Sequence, residues 1–238
     1  MAILMSKKMF NDKNKSLVEK EWSNLTKQFE LAQSNIPMRS WMDFLLMKEK
    51  YMSRKELSFH DHVKLLGYLC IDVHSIPGDI LEIGVWKGKS LALMDRLSSN
   101  ETKIIGVDPC ELPGQLPELK YYQEQLFQSA EIITDYSEKA ISAVSDISQK
   151  FKIIHIDGGH SYHNVWMDFL LYERFLVPGG YIVFDDYNDL EFSPEVNPAV
   201  NDLQRKGFFE RYKIIGAETE FNNSFLIQLS KNRANDDL

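Results

Sequence analysis

No apolar run in this chain is long enough to cross a bilayer, no stretch is densely basic, and cysteine is scarce. Each shortage removes a class of protein. A membrane-spanning helix needs about 20 consecutive apolar residues, and the opening MAILMSKKMF has too short an apolar stretch for a secretory leader. Lys and Arg number 27 against 35 Asp and Glu, a net charge of −8, so nucleic acid and anionic membrane surfaces are poor partners. Cys70 and Cys110 lie far apart without metal-type spacing and read as reduced, partly buried thiols of a cytoplasmic protein. The 238 residues suit one α/β domain with an appendage better than two full domains.

What is present falls into two textures. From Lys15 to Ala32, Val18, Trp22, Leu25, Phe29 and Ala32 step by four and three, drawing one apolar stripe on a helix. Pro37 interrupts it, a second helical pattern follows from Trp41 to Met47, and a third runs from Phe59 to Val73. His60, His62 and His74 show no ligand spacing there. Residues 1–60 thus read as a helical N-terminal extension, a lid or an oligomer contact that would use the stripe. Residues 61–232 form the main domain, and 233–238 a polar tail.

From Pro77, short β-branched runs alternate with helical segments. The strand candidates are DILEIG, KIIGVD, EIITD, FKIIHID and GYIVFDD, with helices starting near Lys89, Pro117, Ser137 and His163. This alternation predicts a doubly wound, Rossmann-like, mostly parallel sheet with helices on both faces. Two later runs, ERYKIIGA and NSFLIQLS, are too close for a parallel crossover. They complete a seven-stranded sheet whose last strand is antiparallel.

In such a sheet ligands bind beyond the carboxyl ends of the strands. Here those ends carry Asp108, Asp135, Asp157 and the pair Asp185–Asp186. Any one of them reads equally well as a turn residue or helix cap. Gathered on one rim, they repel unless a cation is bound. The first βα turn, LEIGVWKGKS, spaces Glu82, Gly84 and Gly88 as E-x-G-x-x-x-G rather than as the G-x-G-x-x-G of dinucleotide enzymes. With Asp108 ending the next strand, this is a nucleoside site in which a carboxylate accepts the ribose hydroxyls.

ILEIGVWKGKS, IIGVD, IDGGHSY and LVPGGYIVFDDY, in that order, resemble the motifs of class I S-adenosylmethionine-dependent methyltransferases. The resemblance covers residues 77–230. It is strongest to metal-dependent O-methyltransferases of the macrocin and mycinamicin sugar type, which share a D-x-x-H, an acidic pair after P-G-G-Y-I, and a later PAVNDL. It implies that Glu82, Gly84, Gly88 and Ser90 line the methionine end of the cofactor. Asp108 holds the ribose, Asp135, Tyr136 and Ser137 sit beside the adenine, and Asp157 lies near both cofactor and metal. Asp157, Asp185 and Asp186 match the family's metal ligands, for Mg²⁺ or another divalent cation, and His160 matches its general base. Asp185 stands where such sugar enzymes often have Glu. The resemblance also implies a small-molecule acceptor and a tendency to homo-oligomerise.

The mechanism expected is direct displacement. The ion lowers the acceptor hydroxyl's pKa, His160 removes its proton, and the oxygen attacks the sulfonium methyl in line. His163 is a second candidate base, although it falls inside a helix. His155 is expected to point into packing or a backbone hydrogen bond. Tyr162, Trp166 and Tyr187 are candidate substrate walls, and equally candidate core. The rival readings are a metal-independent N- or O-methyltransferase, a non-catalytic nucleoside-binding protein of the same fold, and an NAD-dependent oxidoreductase.

Overall fold

The computed structural model describes residues 12–35, 63–217, 221 and 223–230. The expected helix at 41–47, His60, His62 and the tail 233–238 lie outside the described residues.

The β-branched runs become strands, and the amphipathic segments between them become helices. In chain order the elements are α1 (Asp12–Ser34), α2 (Val63–Asp72), β1 (Asp79–Ile83), α3 (Lys89–Leu97), β2 (Ile104–Val107), α4 (Gln115–Leu126) and β3 (Glu131–Ile133). There follow α5 (Ser137–Ile147), β4 (Phe151–Ile156), α6 (Tyr162–Tyr172), a 3₁₀ turn at Glu173–Phe175, β5 (Leu176–Phe184), α7 (Val196–Arg205), β6 (Tyr212–Gly216) and β7 (Phe225–Leu229). The strands form one sheet in the order β3-β2-β1-β4-β5-β7-β6. The first five are parallel, and β7 runs antiparallel to both β5 and β6. This is the expected Rossmann-like sheet with a reversed final strand. No described helix is long and apolar enough to cross a membrane.

Alternation along each strand divides the core. Leu81, Ile83, Ile154, Ile156, Ile182 and Phe184 face α5, α6 and α7, while Ile80, Ile153, Tyr181 and Val183 face α2 and α3. Two elements depart from the sequence reading. Helix α4 begins at Gln115, two positions before Pro117, because the left-handed Gly114 starts it. Helix α7 was not among the expected helices, yet Val196, Ala199, Val200 and Leu203 draw a helical stripe that is fully buried.

The α1 stripe is buried as its spacing requires. It packs on Ala92 and Leu93 of α3 and on Tyr122 and Leu126 of α4. Lys89, at the start of α3, lies over the Trp22 ring at 4.3 Å. Burial pushes its ammonium down to about 7 against the opposing pull of Glu30. On the far side of α3, buried Asp95 accepts from the backbone N–H groups of Gln128, Ser129 and Ala130, closing the turn from α4 into β3.

Asp168 on α6 is buried beneath the rim and accepts from the Ser137 hydroxyl. Burial pushes its carboxyl up to about 6 from an ordinary 3.8, and the Ser137 bond only partly offsets this. A raised carboxyl binds its proton more tightly when folded. Asp168 therefore favours the fold at low pH, and that contribution disappears as pH climbs from about 4 through about 6. Asn at this position keeps an acceptor for Ser137 and removes the titration. Urea unfolding of Asp168→Asn and wild type should show the variant gaining on wild type by up to about 3 kcal/mol between pH 4 and pH 7.5. Parallel pH profiles would rule the account out.

Candidate functional site

Five parallel strands bring their carboxyl ends to one rim, and two close backbone approaches shape it. Gly84, at φ 87°, follows β1, and a Cβ there would sit 1.9 Å from the Asp157 carbonyl oxygen. Gly88, at φ 78°, begins α3, and a Cβ there would meet the Phe127 ring at 2.4 Å. Both positions need glycine for conformation and for space. The Asp157 N–H donates to Ile83 O at 2.8 Å, so the β1 loop and the β4 end are one backbone unit.

The expected cofactor residues divide by what they touch. Asp108 is buried. Its Oδ2 accepts from the N–H groups of Val85 and Trp86 at 2.8 Å each, and its Oδ1 accepts from Cys110 N at 2.7 Å and Gln115 Nε2 at 2.9 Å. Four bonds fill a carboxylate, so in this state Asp108 holds the 84–88 loop rather than presenting free lone pairs. Asp135 accepts from the N–H of Tyr136, which precedes α5 with its ring half-exposed and its hydroxyl on Glu111. Ser137 is tied to Asp168, and Ser90 lies half-buried in the first turn of α3.

Glu82 is completely buried, and the register pairs it with His155 on the neighbouring strand. Its Oε1 lies 2.9 Å from His155 Nδ1, so His155 points into packing, one of the two expected environments, and bonds a buried carboxylate there. Burial alone would strip the proton from His155. The Glu82 carboxylate outweighs that and lifts the imidazole to about 9. Glu82 Oε2 and His155 Nε2 are buried without a hydrogen-bond partner among the described residues.

The metal-type residues form two overlapping groups. Ligand atoms of His155, Asp157 and Asp185 lie within 4.8 Å of one another, and so do those of Asp157, His160 and Asp186. Asp157 belongs to both; Asp185 and Asp186 fall in different ones. Side chains alternate at a strand end, and Asp186 turns away at φ 55°. Asp185 is buried with Oδ1 on the Ser224 hydroxyl at 3.0 Å. Asp186 Oδ1 accepts from Asn223 Nδ2 at 3.0 Å, and its Oδ2 accepts from the Ser193 hydroxyl at 2.7 Å. Surrounding protein atoms first and the Asp185 charge second push the Asp157 carboxyl up to about 6, although 31% of the side chain meets solvent.

His160 stands at the mouth. Its Nε2 lies 3.5 Å from Asp186 Oδ2 and 3.7 Å from Asp157 Oδ1, and its Nδ1 lies 2.9 Å from Ser193 Oγ. Contact with Asp157 raises its pKa, burial opposes this, and the charges of Asp157, Asp186 and Asp185 add to the rise. His163 is exposed on α6. The aromatic candidates brace helices: Tyr162 stacks on Trp166 and bonds Asp202 of α7, Trp166 Nε1 donates to Ala199 O, and Tyr187 packs on Phe225. Ser193, Asn223 and Ser224 escaped the sequence reading because nothing in a lone polar loop residue announces a distant partner.

Residues 81–187 match a family model described as a methyltransferase domain. The chain is 36% identical over 164 residues to uncharacterized protein R132 of Acanthamoeba polyphaga mimivirus, covering 66% of this chain and 73% of that protein. The O-methyltransferase NovP shares the fold at a TM-score of 0.60 and 18% identity, over 71% of this chain and 80% of its own. So does the O-methyltransferase from Bacillus cereus in complex with SAH, at 0.56 and 15%, over 87% of this chain and 97% of its own. The matched span contains the glycine loop, Asp108, Asp157, Asp185 and Asp186. The chain belongs to the methyltransferase-domain family.

Proposed function

We propose that the chain methylates a hydroxyl of a small molecule, with a divalent cation held by Asp157 together with Asp185 or Asp186, and with His160 as the base. The observation that carries this is His160 Nε2, within 3.7 Å of two carboxylates that belong to different strand ends, at a partly open mouth. Oxygen-rich ligand sets of this kind suit Mg²⁺, and the Asp157 carboxyl, raised by burial first and by the Asp185 charge second, is one that a cation would favour in its ionised form. The orphaned Glu82 Oε2 suits the cofactor's ammonium, and the α3 N-terminus, which no side chain caps, suits its carboxylate.

When bound, the cation supplies charge that acidifies the acceptor hydroxyl, and S-adenosylmethionine supplies the methyl group as a sulfonium. The chain's own residues do the rest. Gly84 and Gly88 keep the β1 loop free of side chains. Asp108 fixes that loop, so a ribose contact by Asp108 would replace one of its internal bonds. Tyr136 and Ser137 border the adenine side. His160 takes the acceptor's proton at Nε2 as the C–O bond forms. Leu190 and Phe192, exposed on the loop that carries Ser193, offer apolar surface beside this mouth. That favours an acceptor with an apolar part next to its hydroxyls, such as a glycosylated metabolite or a catechol-like phenol. In this reading residues 61–232 perform the reaction, and residues 1–60 shape access to it.

Two measurements test the proposal. Mn²⁺ binding followed by electron paramagnetic resonance should weaken at least ~10-fold in Asp157→Ala, Asp186→Ala, while S-adenosylhomocysteine affinity stays near wild type. Equal Mn²⁺ affinity would remove the metal from the scheme. His160→Ala should lower methyl transfer from labelled S-adenosylmethionine by about 10²–10⁴-fold across a panel of diol and catechol acceptors. In wild type, Mg²⁺ should move the His160 titration followed by NMR to lower pH, because the carboxylates that hold its proton become neutralised. A midpoint indifferent to Mg²⁺ would separate His160 from any ion site.

A further inference from the structure

We propose that Ser193 is a positioning residue for methyl transfer, setting which nitrogen of His160 is free to accept a proton. The inference rests on the reading of His160 as the base and adds a residue outside the family-matched span of 81–187.

Ser193 is 1% exposed on the connection between β5 and α7, in a turn closed by Ser193 N to Asp189 O at 3.0 Å and Phe192 N to Asp189 Oδ1 at 3.0 Å. Its hydroxyl has two partners, Asp186 Oδ2 at 2.7 Å and His160 Nδ1 at 2.9 Å. A carboxylate only accepts, so the single Ser193 proton goes to Asp186. The hydroxyl oxygen is then the acceptor, and His160 Nδ1 carries the hydrogen. In a neutral imidazole that leaves Nε2 with the lone pair. Nε2 is the nitrogen that faces Asp157 and Asp186 at the mouth. The chain Asp186–Ser193–His160 thus orients the ring and selects its tautomer, much as an outer carboxylate orients a catalytic or ligating histidine.

A purely local role does not account for this hydroxyl. Helix α7 starts three residues later with Glu195 as its cap, and no side chain caps its first turn. The Ser193 hydroxyl therefore does not serve the helix. Burying it costs free energy unless it is bonded, and both of its bonds go to residues of the site.

The test is the ring-nitrogen NMR of ¹⁵N-histidine-labelled full-length protein, read at a pH where His160 is neutral. Wild type should show Nδ1 protonated and Nε2 bare. Ser193→Ala should shift the population toward Nε2–H, and Ser193→Thr, which keeps the hydroxyl, should restore the wild-type pattern. Turnover of Ser193→Ala should fall at least ~10-fold, with S-adenosylhomocysteine affinity unchanged. Should the Ala variant lose that affinity through misfolding, Ser193→Cys, which keeps the volume but weakens both bonds, takes its place. An unchanged His160 tautomer in the folded variant overturns the inference. A shifted tautomer together with full activity in His160→Ala upholds the Ser193 contact and overturns the base assignment instead.

Discussion

The backbones of Gly84 and Asp157 lie so close that no side chain fits between them, and the rest of the rim is arranged around that contact. It joins the loop that leads into α3 to the end of β4, so a group bound over the loop necessarily sits beside the Asp157 carboxylate. Two residues earlier on each strand, Glu82 and His155 form a buried pair on the same faces as Gly84 and Asp157. Backbone contact above and charge pairing below fix the same two strands twice. A reaction that needs its donor and its ion-binding acid in register gains from this rigidity.

Negative charge at the rim is not uniform, and the hydrogen bonds sort it by role. Asp108 is filled by four donors from its own chain and behaves as a structural clasp. Asp185 accepts from the Ser224 hydroxyl, and Asp186 accepts from Asn223 Nδ2 and the Ser193 hydroxyl. At Asp157 burial first and the Asp185 charge second hold the carboxyl up at about 6.

The sheet was legible because its evidence is local. Strands β1, β2, β4 and β5 are runs rich in Ile, Val and Leu followed directly by Gly84, Asp108, Asp157 and Asp185, and the short link before NSFLIQLS forces the reversal of β7. Asp157 and His160 were legible for a related reason: both lie at the end of one such run. Helix α7 was harder, since Pro198 and two asparagines interrupt its short stripe. The Glu82–His155 pair becomes visible only once β1 and β4 are known to be neighbours. Whether Asp108 faces inward or outward, and which serine approaches His160, depends on contacts across 22 to 33 positions of chain. No periodicity encodes such contacts.

The two acids after β5 are clasped by Asn223 and Ser224, which lead into β7, the last described strand of the sheet. Translation delivers these residues after every parallel strand has left the ribosome. A nascent chain can therefore assemble the glycine loop and the first five strands while its acidic pair is still unclasped. The clasp on the acidic pair arrives last, when the hairpin docks, so an unfinished polypeptide holds the scaffold with this end of the rim still open.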